Sequence, residues 1–343
     1  MKEVKDWSFV GVWNASLLNA ETRTVVPRDY LWASELGKAP IDIYLRMSGV
    51  EATNPPNPRS LRKFEAGNVF EWIVSLILKR AGILDDAQTY CVFQYPGMLK
   101  VTGKADFIAG GTPDFKKAVE EMEQLDLPEV FVRAAKAIQE YFDREYPEGL
   151  VKKPIEIKSV SSFMFEAIER AKKPQKIHRL QLFHYLKAED YERGSIIYIC
   201  RDDLRMMEFP VFNHGPETEI EKEYFAFIKT MTDFYNSGKQ PPLENPIIFD
   251  EDSGRFSANF NVAYSGYLTM LYGLKDQKEF DDMYRKDVGK WNRVMNRVKN
   301  GDKMTKKNIE ILAEIAEAGF DPAILSAKFI GSAEEEELET VAE

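Results

Sequence analysis

A chain of 343 residues with 44% hydrophobic and 12% aromatic content can fill one large domain or two ordinary ones. The formal charge of −10 excludes nucleic-acid binding through net charge alone, yet six acids (Glu334, Glu335, Glu336, Glu337, Glu339 and Glu343) crowd the last ten residues without a base, so the preceding 333 carry −4. No apolar run reaches the roughly 18 residues of a membrane helix, the first 28 residues are too charged for a signal peptide, and the two cysteines, Cys91 and Cys200, can build neither a disulfide framework nor a four-cysteine metal site; a soluble cytoplasmic protein with two reduced core thiols is expected.

Residues 1–28 show no clear period. From Tyr30 the sequence predicts a short helix entered through Ser34, a turn at Ala39-Pro40 and a second short helix, followed by a proline-rich loop over 54–59. Ser60 then caps a long helix with Leu61, Phe64, Phe70, Ile73, Val74 and Ile77 at helical spacing, ending near Gly82, with Glu71 in its middle. Residues 88–95 and 99–109 read as a strand pair around Pro96-Gly97, with Asp106 near the end of the second strand. Thr112 and Pro113 resemble an N-cap and first helical residue, opening a helical insert over about 113–150 that is broken at Pro128 and stopped by Pro147 and Gly149.

The stretch Ile155-Glu156-Ile157-Lys158-Ser159 is the chemical centre of this reading. In an extended strand Glu156 and Lys158 project from one face and Ile155 and Ile157 from the other. A carboxylate and an ammonium on a core strand suit a metal ion and an activated water. Residues 162–171 are amphipathic, 172–176 form a basic loop, and 177–188 form a helix on which Gln181 and Tyr185, four apart, share a face close to His178. His184 falls on the far side. A hairpin over 195–201 and 206–211 follows, then a Glu/Lys-rich helix over 217–236 and a linker marked by Pro241, Pro242 and Pro246. Helices over 267–274, 278–300 and 305–318 complete a helical C-terminal region. The domains are therefore 1–250, 255–330 and a disordered acidic tail over 331–343.

Four motifs in order, Gly67-Asn68-x-x-Glu71, Gly103-x-x-Asp106, Glu156-x-Lys158 and Gln181-x-x-x-Tyr185, resemble the RecB-like branch of the PD-(D/E)xK nuclease superfamily. The resemblance covers residues 30–212 apart from the insert. It implies an α/β restriction-endonuclease-like core, with a central mixed β-sheet flanked by helices, and a Mg²⁺- or Mn²⁺-dependent deoxyribonuclease, exonuclease favoured over endonuclease. Glu71, Asp106 and Glu156 would be metal ligands. Lys158 would position the water and stabilise charge, and Gln181 and Tyr185 would support the catalytic groups. The chain departs from the family in three ways. The roughly fifty residues between Asp106 and Glu156 are more than many relatives have. Glu71 stands where a histidine is common. Ala39-Pro40 stands where iron–sulfur members such as the CRISPR-associated exonucleases carry Cys-Pro, and the ligand count excludes a cluster.

DNA is the implied partner, with the insert or C-terminal region open to a protein partner or second subunit and no membrane contact. The settings implied are DNA processing, recombination, repair or phage DNA metabolism. No glycine-rich phosphate loop accompanies the motifs, so no motor is fused to them. The contrasting reading is a catalytically silent nucleic-acid-binding or assembly protein on the same fold. Two basic groups are candidate phosphate contacts: Lys172, Lys173, Lys176 and Arg179 before Gln181, and Lys286, Lys290, Arg293 and Arg297 along one helix face opposite an apolar stripe of Tyr284, Val288, Trp291, Val294 and Val298. A solvated face, or a surface for the acidic tail, is the plainer account of the second.

Overall fold

The computed structural model describes residues 8–20, 25–125, 129–213, 218–250, 254–322 and 325. The expected disorder of 331–343 and the break at Pro128 lie outside them, as does His214. The chain divides into two compact units, residues Met1–Glu51 with Pro56–Gln240, and Ala52–Pro55 with Pro241–Glu343.

In chain order the first unit contains α1 (Phe9–Ala20), β1 (Tyr30–Trp32), a 3₁₀ turn (Ala33–Glu35), α2 (Pro40–Met47), α3 (Pro58–Arg80), β2 (Leu84–Phe93), β3 (Lys100–Gly111), α4 (Phe115–Gln124), α5 (Glu129–Glu145), β4 (Leu150–Val160), α6 (Ser162–Ala171), α7 (Lys176–Glu189), β5 (Arg193–Cys200), β6 (Met206–Phe212) and α8 (Thr218–Ser237). The sheet runs β1-β3-β4-β5-β6, with β2 also on β3. β3 is long enough to serve several neighbours: Lys100–Thr102 pair in parallel with β1, Phe107–Gly111 antiparallel with β4, and β2 runs antiparallel along most of its length. β5 then joins β4 in parallel and β6 closes antiparallel. This central mixed sheet flanked by helices is the one expected of a restriction-endonuclease-like core.

Period-two alternation on β4 decides which side chains reach the site. Ile155 and Ile157 join Phe107, Ala109, Ile199 and the α3 residues Val74 and Leu78 in one buried cluster. Their neighbours Glu156 and Lys158 therefore face α7, whose Leu180, Phe183, Tyr185 and Leu186 pack with Val101, Ala105, Ile196 and Tyr198 in the main core.

Several local expectations are corrected. The segment from Tyr30 starts as a strand, because Tyr30, Leu31 and Trp32 find backbone partners on β3 that a helix would forgo. Ser60 does not cap α3; its N–H instead donates to the Asn57 side chain, and Pro58 stands at the first helical position, where its missing N–H costs nothing. Asp114, not Thr112, caps α4. The α3 stripe is also narrower than its spacing predicts: Leu61, Val74 and Leu78 are buried, while Phe64 is 57% exposed and Ile73 and Ile77 each 38%.

The second unit contains β7 (Ile247–Asp250), β8 (Arg255–Ala258), α9 (Phe260–Ala263), α10 (Leu268–Tyr272), α11 (Gln277–Lys299) and α12 (Lys306–Glu317). It is not purely helical. β7 and β8 form an antiparallel pair, and Ile247 and Phe256 pack with Trp291, Val294 and Met295 of α11. This pairing draws residues 241–250 into the second unit, so the boundary lies at Gln240, ten residues before the one expected. Asn54, from the proline-rich loop, joins the same unit through its side chain, which donates to the Lys275 carbonyl and accepts from the Thr269 N–H.

Candidate active site

The site is assembled on the α7-facing side of β3 and β4. Asp106 and Glu156 lie on adjacent antiparallel strands, and the Ile157 N–H donates to Asp106 Oδ2 at 2.7 Å, locking that carboxylate across the strand gap. Glu156 is 1% exposed. Its Oε1 accepts from Lys158 Nζ at 2.5 Å, whereas its Oε2 has no hydrogen-bond partner. Lys158, with 23% of its side chain exposed, also donates to Gln181 Oε1 at 3.1 Å, and Gln181 Nε2 donates to Tyr185 Oη at 2.9 Å. One helical turn thus carries a two-step brace running from the core to the Lys158 ammonium. Tyr185 is 1% exposed, so the far end of the brace is anchored in packed surroundings.

Gly103 explains how β3 admits Tyr185 so closely. A Cβ built on it would lie 2.7 Å from Ala33 Cβ and 2.9 Å from Tyr185 Cε1, closer than real Cβ contacts run. Gly67 on α3 lies over Ser159, with its Cβ position 3.7 Å from Ser159 Oγ, and one turn later Glu71 comes within electrostatic reach of Asp106 and Lys158.

Burial dominates the electrostatics. It pushes Glu156 up to about 8, with the Lys158 cation opposing and Asp106 reinforcing the shift. Burial and the charge of Asp106 push Glu71 up to about 7. Asp106 is raised by burial too, against the pull of Lys158 and the Ile157 N–H. Burial pulls Lys158 down, but Glu156, Asp106 and Glu71 together outweigh it and hold the ammonium above its ordinary value. Three carboxylates around one cation leave an excess of negative charge in a poorly solvated place.

Hard oxygen donors and the orphaned Glu156 Oε2 fit a divalent cation such as Mg²⁺ or Mn²⁺. Among the described residues no three or more His, Cys, Asp or Glu side chains form a ready metal-holding group. Lys158 occupies one oxygen of Glu156 and the Ile157 N–H one of Asp106. Mg²⁺ needs no closed protein cage, since it keeps several waters and takes one or two carboxylates together with substrate phosphate.

No protein-family model matches this chain, and no curated protein does. Similar solved structures include SSO0001, at 16% identity and a TM-score of 0.39, covering 65% of this chain and 87% of that one. They also include an alkaline exonuclease from Laribacter hongkongensis and its complex with dAMP, each at 13% identity and a TM-score of 0.35, covering 66% of this chain and 97% of the other. Likeness this low transfers no residue or role. The site's chemistry rests on its own geometry.

The remaining sequence candidates are scattered. Lys176 and Arg179 both meet Glu223 of α8, at 2.9 and 3.8 Å, and Lys172 is the left-handed C-cap of α6, next to Lys173. On α11 of the second unit Lys286, Arg293 and Arg297 are exposed, but Lys290 is bound to Asp287 at 3.0 Å and Glu314 at 2.6 Å. His178 and His184 are both engaged internally: His178 Nδ1 with Tyr198 Oη at 2.8 Å, and His184 with Tyr224 Oη at 2.9 Å and the Cys91 carbonyl at 3.3 Å. Cys91 and Cys200 are free and buried. Sequence reasoning missed Lys38, whose charge is felt by His178 and which in turn feels Lys158. It follows Gly37 in a loop, and no local pattern marks it.

Proposed function

We propose that the chain is a divalent-metal-dependent nuclease of RecB-like type that hydrolyses phosphodiester bonds in DNA, acting as an exonuclease in DNA processing, recombination, repair or phage DNA metabolism. The observation that carries this reading is the Glu156 carboxylate, buried beside Asp106 with one oxygen on Lys158 and the other without a partner. An unsatisfied buried carboxylate oxygen is costly, and a positive ligand relieves it. Mg²⁺ or Mn²⁺ held by one or two of the proposed ligands Asp106, Glu156 and Glu71, together with water and substrate phosphate, would supply Lewis acidity toward a phosphoryl oxygen and lower the pKa of an attacking water.

The chain's own groups supply the rest. Lys158 offers an ammonium to the developing charge on phosphate or leaving oxygen. Gln181 holds that ammonium in place, and Tyr185, fixed in the core, holds the Gln181 amide with its oxygen toward Lys158. Lys172, Lys173, Lys176, Arg179 and the α11 row of Lys286, Lys290, Arg293 and Arg297 are the proposed phosphate contacts. Lys176, Arg179 and Lys290 must give up carboxylate partners to serve. The insert of α4 and α5 and the second unit are the proposed protein-partner surfaces.

Incubating the purified chain with linear and with closed circular DNA, in Mn²⁺ or in EDTA, tests the reading. Cleavage of linear DNA alone, only with metal, is the expected result. Glu156→Gln and Lys158→Ala should each lower the rate by at least about a hundredfold with the fold intact, and Asp106→Asn should weaken Mn²⁺ binding in calorimetry. Binding of DNA with no metal-dependent cleavage of any form would leave the silent binding protein as the better description.

A further inference from the structure

Lys38 sits in the loop between the 3₁₀ turn and α2, pressed against the first turns of α7. The preceding Gly37 comes so close that a Cβ there would lie 3.2 Å from both Ile177 Cγ2 and Leu180 Cδ1. Lys38 is thereby set beside the helix that carries His178 and Gln181, and Gln181 is the residue that holds Lys158. Lys38 is half-buried. Burial lowers its pKa, and the charges of Arg46 and Lys158 lower it further against Glu35 and Asp42. Of the two acids that act on it by charge, Glu35 and Asp42, the first is already taken. Glu35 binds Arg28 through both oxygens, at 2.5 and 2.7 Å, and also meets Arg46 at 3.5 Å. Among the described residues no acceptor lies within hydrogen-bond or ion-pair distance of the Lys38 ammonium. His178 offers no counter-charge in either protonation state, and burial together with the charges of Lys158 and Lys38 lowers its pKa.

A half-buried cation within electrostatic reach of Arg46 and Lys158, and in no ion pair of its own, suits an anionic ligand. We propose that Lys38 binds a backbone phosphate of the nucleic-acid strand, one removed from the phosphate that meets Glu156 and Lys158. This rests on the nuclease reading of that site and adds to it a residue that positions the strand. Because the contact is to phosphate and not to a base, it is blind to sequence.

The test uses the full chain in EDTA, so that no cleavage intervenes, and follows binding of a fluorescent single-stranded oligonucleotide across NaCl concentrations. Lys38→Met should bind about tenfold more weakly at moderate salt and lower the slope of log affinity on log salt by about 0.7. Lys38→Arg should retain both. The melting temperature of free Lys38→Met protein should equal or exceed that of the wild type, since a charge without a counter-ion has been removed; a structural lysine would lower it. Wild-type affinity and slope in Lys38→Met, in a chain that still cleaves DNA with Mn²⁺, overturn the assignment and leave the nuclease reading standing. A wild-type chain that neither binds the oligonucleotide nor cleaves DNA overturns both.

Discussion

Gly103 and His184 show how single residues hold this site together from outside the chemistry. Gly103→Ala would drive a methyl group into Ala33 and Tyr185, neither of which has room to retreat within the main core. Overpacking of this kind costs about 1–3 kcal/mol. The urea midpoint should fall accordingly, and DNA cleavage should fall with it, because displacing Tyr185 frees Gln181 and then Lys158. An unchanged midpoint and rate would mean that the ring shifts without consequence. His184 is buried and neutral; burial lowers its pKa to about 4, with the Cys91 carbonyl only partly opposing. In the unfolded chain it titrates near 6.5, so between these values the unfolded state binds more protons. Its contribution is present above about pH 6.5 and is lost as pH falls toward 4, by up to about 3 kcal/mol. His184→Gln should therefore lose less stability than the wild type between pH 7 and 4.5 in denaturant titrations. Equal losses would place the acid sensitivity elsewhere.

At the scale of elements, α3 matters because it delivers Glu71, and its start is set by a cap that the sequence suggested at the wrong residue. Asn57 accepts from the Ser60 N–H. Asn57→Ala should lower stability by about 1 kcal/mol, and Ser60→Ala should change it little, because only the Ser60 backbone takes part in the cap. Paired thermal melts separate the two, and a larger loss from Ser60→Ala would reverse the assignment. The same element shows the limit of periodicity. Phe64, Ile73 and Ile77 fit the helical stripe, yet the sheet touches α3 through Val74 and Leu78, leaving those three exposed. Helical spacing gives the faces of a helix, but the width of the partner decides how much of a face is covered.

Over the whole molecule, two units with separate cores divide the proposed tasks. The carboxylates and Lys158 belong to the first and the α11 basic row to the second. Replacing Lys286, Lys290, Arg293 and Arg297 by Gln in the Glu156→Gln background should weaken binding to all DNA sequences alike and flatten the salt dependence. Lys290 should contribute least, being held by Asp287 and Glu314. An unchanged slope would assign DNA binding to the first unit alone.

The four motifs could be read from the chain because each is a local regularity. Alternation on β4 puts Glu156 beside Lys158, and a four-residue step on α7 puts Gln181 beside Tyr185, wherever those elements end up. The mixed sheet flanked by helices was what the family resemblance of those motifs implied. Tertiary structure decided the remainder. The parallel pairing of β1 with β3, the arrival of Glu71 within reach of Asp106, the capture of Lys176 and Arg179 by Glu223, and the electrostatic reach between Lys38 and Lys158 all join residues far apart in the chain. Such contacts are fixed by which faces pack and which charges are left without partners, and neither propensity nor spacing encodes those.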